Sequence, residues 1–501
     1  MLVVIARAMM CNSNQRTESS SYFKLGVCVA VGCLLWFAPR PDGVDAAGWH
    51  CFAVFAATIF SFIIRPFPMG PMVLLGLLVL AATNTFEPAY AKMFVKPASG
   101  TKASLKYALH GFGDSTTWLV VAAFLISGAV IRSGLGRRIA LTMVSRFGRT
   151  TLGLGYSAAG AELILGPFVP SNTARGGGVM APIMNSLARA LESTPGLDPR
   201  RAGEYLVLCG AHLNLVTAAM FLTGMAGNPL VATAASAHLN VEFGWGTWLA
   251  GSIVPGILSL LLLPLFLYYI APPQLKDARK AQQKARRDLA ALGPWSRPQI
   301  ILTVVFAVML ALWATKPLHG LDTALVAIIG VATLVFTGVE RWKDVMGNGA
   351  AWDAMMWLGG LITMSNALRH LGFVDWFAEA VKDNVGGFGA ITAAIVLALI
   401  YFYSMYGFSM MSGHILALVG GFFILASGAG TPPLLMIALL AYFSNLCGCT
   451  TNYSTGPVII YFGLGYVPAA RWFKIGFLVS LFHLAIWLGV GLPYWKLLGW
   501  W

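Results

Sequence analysis

The chain has 501 residues, 58% of them apolar and only 10% charged, where a water-soluble globule carries about 25% charged residues. That composition excludes an ordinary soluble enzyme and describes a membrane protein with apolar material for about ten to twelve spanning helices of ~20 residues. The net charge of +14 is the signature of Lys and Arg gathered on loops at one membrane face, so no nucleic-acid partner is expected.

In chain order, residues 1–22, an apolar stretch MLVVIARAMM too short to span followed by a polar, Ser-rich segment, read as a cytoplasmic tail, with a transit peptide as the alternative. Uncharged runs predict spans at about 24–39, 48–64, 68–84, 117–131, 203–224, 246–270, 299–315, 320–338, 352–368, 432–447 and 474–494. Two further apolar stretches, 150–187 and 388–428, are Gly-rich and broken in the middle, and each is expected to be a re-entrant hairpin of two half-spans. The segment 272–298 carries seven basic residues and divides the chain into a first half, 23–271, and a second, 299–501. It reads as a cytoplasmic linker, either an ordinary solvated helix or one whose basic face lies along anionic lipid. With the N-terminus inside and the C-terminus outside, 23 of the 33 basic residues fall on the inner face, as the positive-inside rule requires.

The two halves resemble one another. At an offset of 238, Ser127 pairs with Ser365, Ala129 with Ala367, Arg132 with His370, Gly134 with Gly372 and Ser171 with Ser409. Each hairpin is followed by a second interrupted helix, about 203–237 and about 432–465. An odd number of crossings between the copies makes the repeat inverted in the membrane. The fold class expected is therefore an all-α polytopic membrane protein with about eleven spans and two re-entrant hairpins in an inverted-topology repeat, the architecture of secondary transporters.

Candidate binding residues sit at the breaks. In the first hairpin, Pro170 ends one arm and Ser171, Asn172 and Thr173 open the next; such N-cap residues direct free backbone N–H groups and the positive helix end at an anion. Gly176, Gly177 and Gly178 follow without the ending of a phosphate loop, so they suit close helix packing. The second hairpin offers Ser409, Met410, Ser412 and His414. The interrupted helices offer Gly227, Asn228 and Pro229 in the first half, and Thr451, Asn452, Ser454, Thr455, Gly456 and Pro457 in the second. Arg175 and His414 occupy nearly equivalent places in the two hairpins, and a fixed cation there could compensate the charge of a bound anion and favour exchange. The alternative for Arg175 is a pair with Glu162, one of the few intramembrane acids. No metal-ligand cluster, HExxH or nucleophile motif is present, so an enzyme is not expected.

The stretches RPFPMG (65–70), PSNTARGGG (170–178), GNPL (227–230) and NYSTGP (452–457) resemble the divalent anion/sodium symporter family, closest to its branch of 2-oxoglutarate/malate translocators and citrate/succinate antiporters. The resemblance implies an elevator-type carrier of di- or tricarboxylates, usually a homodimer, with no cofactor beyond Na⁺ near both hairpin tips if the chain is a symporter. Exchange is the leading reading, with sodium-coupled symport as the alternative and an anion channel as a remote one. The expected location is a bacterial inner membrane, with an organelle inner membrane as the other possibility. Members of that branch commonly carry Ser-Met-Thr-Ala-His on the second hairpin, whereas Met410-Met411-Ser412-Gly413-His414 stands here. Where they carry Thr-His-Tyr-Ser-Thr, this chain has Thr451-Asn452-Tyr453-Ser454-Thr455.

Overall fold

The computed structural model describes residues 21–94, 98–385 and 389–501; the expected tail lies outside them except for its last two residues. The described chain is all-helical, with one isolated antiparallel bridge, Thr150 to Asp277. Each of the eleven predicted spans is a helix. By length and apolarity alone, eight helices among the described residues can cross a membrane, or up to nine if Met69–Ala82 and Glu87–Met93, bent by 86°, form one span. Six of the predicted spans are among the eight, the other two being the arms of the second hairpin; of the four predicted spans that fail the test, three do so for identifiable reasons. Ser21–Phe37 and Thr323–Phe336 are short. Gly203–Met220 carries Glu204, His212, Asn214 and Thr217, and every one of its residues is buried, so protein rather than lipid surrounds it and strict apolarity is not required.

Two compact units partition the chain, and they cut across the two sequence halves. One unit takes the described residues up to Thr117 together with Trp352–Asn384. Within it Phe52 stacks on Phe373 at 4.5 Å, and Tyr107 Oη lies 2.8 Å from His370 Nδ1. Gly111 N–H donates to Thr363 Oγ1 at 3.0 Å.

The other unit is Trp118–Ala351 with Val385–Trp501, and both broken hairpins belong to it. Its axis is Gly203–Met220, packed against Thr151–Leu165, Trp245–Ile270, Pro433–Leu446 and Gly456–Gly463. The hairpin arms are longer than the half-spans expected: Thr151–Leu165 has 15 residues, and each arm of the second hairpin has 18, or ~27 Å of helix. Only the tips are unwound, since Gly, Pro and Ser interrupt otherwise continuous apolar runs.

The linker is better anchored than a solvated connection. Thr151 N–H donates to Lys276 O and Ala278 N–H to Arg149 O at one end of the first hairpin, while Gln274 and Leu275 N–H donate to Arg200 and Arg201 O beyond its other end. The helix Arg279–Ala291 buries Ala281, Gln282 and Ala285 and packs on Leu135–Phe147. Arg138 holds its C-terminal end, Nη2 donating to the carbonyls of Leu292, Gly293 and Pro294 at 3.1, 2.9 and 3.0 Å; a guanidinium there satisfies acceptors that a helix end leaves unpaired. Lys280 and Arg201 both pair with Glu192, and the hydrogen bond from Lys280, with the charges of both, holds that carboxyl below its ordinary pKa.

Candidate functional site

The four helix breaks meet. Asn172 Nδ2 donates to Thr455 Oγ1 at 3.1 Å, joining the first hairpin to the second interrupted helix. Met411 N–H donates to Ser454 O at 2.8 Å, joining that break to the second hairpin. Asn445 Nδ2 donates to Asn228 Oδ1 at 2.8 Å, which brings in the first interrupted helix. Gly227 lies so close to Ile415 that a Cβ on it would stand 2.8 Å from Ile415 Cδ1.

Glycine permits the approach. A Cβ on Gly456 would lie 2.2 Å from Thr173 Oγ1, one on Gly176 2.7 Å from Asn214 Nδ2, and one on Gly177 2.3 Å from Ile460 Cδ1. Thus the Gly176-Gly177 pair serves helix packing, as the sequence suggests, while Gly178 is exposed with open space at its Cβ. Thr173–Met180 is a π-helix, a widened turn that recurs at functional sites and that no sequence signal announced.

Ser171 caps this second arm, its Oγ accepting from Ala174 N–H at 3.1 Å. Four helices begin at the breaks, at Thr173, Asn228, Met411 and Gly456, each with the partial positive charge of a helix start. Ser171, Thr173, Ser412 and Asn452 are half-buried and Ser409 and Met410 exposed. Among the described residues the side chains of Thr173, Ser409, Ser412 and Asn452 make no hydrogen bond, so their polar atoms remain open to a ligand.

Other predicted residues are committed to the scaffold. Asn228 is fully buried and its Nδ2 donates to Ala218 and Phe221 O at 2.8 and 2.9 Å, closing the end of Gly203–Met220. Pro229 stands in the first turn of the helix Asn228–Leu239. Ser454 Oγ donates to Gly448 O at 2.6 Å. Pro457 is buried beside Gly176. Thr451 is buried with its Oγ1 unpartnered.

Arg175 is not the uncompensated cation expected. It has no exposed surface, and its Nε donates to Glu162 Oε2 at 2.7 Å. Glu162 also accepts from Asn214 Nδ2 at 3.1 Å and Thr217 Oγ1 at 3.1 Å. A buried guanidinium costs several kcal/mol unless an anion accompanies it, and Glu162, 13 residues earlier on the opposing arm, supplies one. The remaining donors hold backbone and a hydroxyl: Nη1 reaches Val169 O at 2.7 Å and Gly224 O at 3.0 Å, and Nη2 reaches Thr217 Oγ1 at 3.2 Å. His414, also fully buried, stands in the second hairpin with Nε2 3.0 Å from Tyr401 O and 2.8 Å from Ser404 Oγ. A carbonyl only accepts, so Nε2 carries the proton.

Sequence reasoning missed Asn214, Thr217 and Asn445, polar residues on apolar helices whose partners lie 39 to 217 positions away. A buried polar residue in a long apolar run was the only available signal, and it names no partner.

The family described as sodium:sulfate symporter transmembrane region matches residues 19–501. The transporter YflS of Bacillus subtilis (strain 168) is 40% identical over 476 residues, covering 95% of this chain and 96% of that one. Dicarboxylate transporter 1, chloroplastic, of Spinacia oleracea is 37% identical over 492 residues, covering 97% and 83%. The citrate/succinate antiporter of Escherichia coli (strain K12) is 31% identical over 477 residues, covering 94% and 97%. Among solved structures, the YdaH transporter of Alcanivorax borkumensis, described as having an unusual topology, aligns over 86% of this chain and 98% of its own with a TM-score of 0.55 and 14% identity, a likeness of fold. This chain therefore belongs to the sodium:sulfate symporter transmembrane family, the divalent anion/sodium symporters that its hairpin motifs resemble, and is a multi-pass membrane transporter and not an enzyme.

Proposed function

We propose that the protein carries di- and tricarboxylate anions by exchange, seating the anion where the four helix breaks meet. The convergence of Asn172 with Thr455 and of Met411 with Ser454 carries this reading: helix starts and the open hydroxyls and amide of Thr173, Ser412 and Asn452 surround one place, and no acidic side chain stands among them. Such donors favour carboxylates. The dicarboxylate and citrate/succinate names of two relatives support the substrate class.

Exchange does not rest on a free charge at Arg175, which Glu162 balances. A coupling Na⁺ at the hairpin tips would need hard oxygen ligands. Here Arg175 holds Val169 O and Gly224 O, and His414 holds Tyr401 O, so these three carbonyls near the breaks already serve protein donors. An empty carrier would move four helix starts with no anion to balance them, whereas a loaded one would not. The cycle we envisage is elevator-like, in a homodimer with inverted halves in a bacterial inner membrane, the N-terminus inside and the C-terminus outside.

Sodium-coupled symport is the second reading, favoured by one observation: the buried oxygens Thr451 Oγ1 and Asn445 Oδ1 have no partner among the described residues. Counterflow of labelled malate, succinate, 2-oxoglutarate, citrate and tartrate in proteoliposomes decides. Exchange predicts uptake that requires internal counter-substrate and ignores Na⁺; uptake into empty vesicles that requires Na⁺ would overturn it.

A further inference from the structure

A cavity of about 500 Å³ opens beside the first hairpin and away from its tip. One wall is the end of the Ser115–Ser133 span and the amphipathic helix Leu135–Phe147 that follows it; the other is the second arm of the hairpin, with Asp288 of the linker helix at the rim. The lining is two-natured. Leu141, Val179 and Ile183 supply aliphatic surface, and Ser133, Ser186 and Arg137 supply polar groups.

The charges are unequal. Arg132 pairs with Glu340, and Asp288 with Lys284 at 3.3 Å, so those four cancel. Arg137 is exposed and, among the described residues, makes no ion pair. The cavity therefore holds one uncompensated cation beside an apolar floor. An amphipathic helix directly after a span lies at headgroup depth, where basic pockets between helices accept anionic headgroups.

We propose that this cavity binds an anionic phospholipid, its phosphate on Arg137 and an acyl chain along Leu141, Val179 and Ile183, and that the lipid braces the second arm of the first hairpin. A small dicarboxylate fits less well, because the aliphatic wall would desolvate its second charge without replacing the water. The binding is independent of the transport reading; only its consequence, a carrier whose rate depends on anionic lipid, rests on it.

The test uses the full-length protein with phosphatidylglycerol and phosphatidylcholine as probes. Native mass spectrometry counts bound phosphatidylglycerol in wild type, Arg137→Gln, Arg137→Glu and Arg146→Gln, the last being an exposed arginine on the same helix outside the cavity. Removing one cation near the membrane surface predicts about fivefold weaker retention in Arg137→Gln, a larger loss in Arg137→Glu and no change in Arg146→Gln. In proteoliposomes, phosphatidylglycerol should speed wild-type counterflow and leave the Arg137 variants at their phosphatidylcholine rate. Wild-type retention in both Arg137 variants, or an equal loss in Arg146→Gln, would overturn the site. Counterflow lowered alike in both lipids with retention intact would overturn it too, by giving the cavity to the transported anion. Failure of wild-type counterflow in every vesicle would refute the transport reading while the retention data still judge the lipid.

Discussion

Glu162 and Arg175 set the energetics of the first hairpin at the level of single residues. Both are fully buried, so removing either partner strands a charge and costs about 3–5 kcal/mol. Glu162→Gln and Arg175→Met should each lower the thermal unfolding temperature in detergent markedly, whereas the double variant should recover much of that loss, because neither charge remains to be stranded. Should transport stay absent in the stable double variant, Arg175 does more than balance charge, as its hold on Val169 O and Gly224 O suggests. Asn172→Ala removes the 3.1 Å contact with Thr455, worth about 0.5–1.5 kcal/mol. The variant should insert and fold yet transport poorly in the counterflow assay; full activity would mean that the joined breaks are not the binding place.

Between elements, close approach and clamping dominate. The second arm of the first hairpin reaches Gly456–Gly463 because glycines line the contact, so Gly456→Ala drives a Cβ to 2.2 Å from Thr173 Oγ1. Overpacking of that kind costs about 1–3 kcal/mol, measurable as a lower unfolding temperature, and the displaced Thr173 should weaken transport as well. On the linker, Arg138→Ala leaves the carbonyls of Leu292, Gly293 and Pro294 without their donor. Trypsin should then cut the basic helix Arg279–Ala291 several times faster than in wild type; unchanged cleavage would show that Gln282 and Arg286, which donate to Ser145 O, suffice. The tie through Glu192 has a definite pH sense. Its carboxyl is held below the ordinary range, so its contribution is present above the ordinary carboxylate pKa and is lost as pH falls through the lowered value. Lower protection of the linker amides on acidification, after correction for the intrinsic slowing of amide exchange in acid, is the expected sign.

At the scale of the whole molecule, much was legible in advance. Apolar run length marks a spanning helix wherever lipid surrounds it, so the predicted spans are helices, and Ser171 at a Pro-interrupted break caps the arm that follows, as its side chain favours. The motifs around 170–178 and 452–457 also identified the family that the comparisons support. Composition and local chemistry act within a few residues of chain, and those features were determined there. What only the tertiary structure decided was the partner of each buried polar group. Arg175 carried the same sequence signal whether it faced a substrate or Glu162, and Asn228 read as a ligand until Ala218, Phe221 and Asn445 claimed its amide. The docking of the linker onto Leu135–Phe147 was equally hidden, since Arg138 meets acceptors more than 150 positions away. Charge and hydrogen-bond satisfaction are settled by atoms within about 3 Å in space, and separation along the chain does not say which atoms those will be.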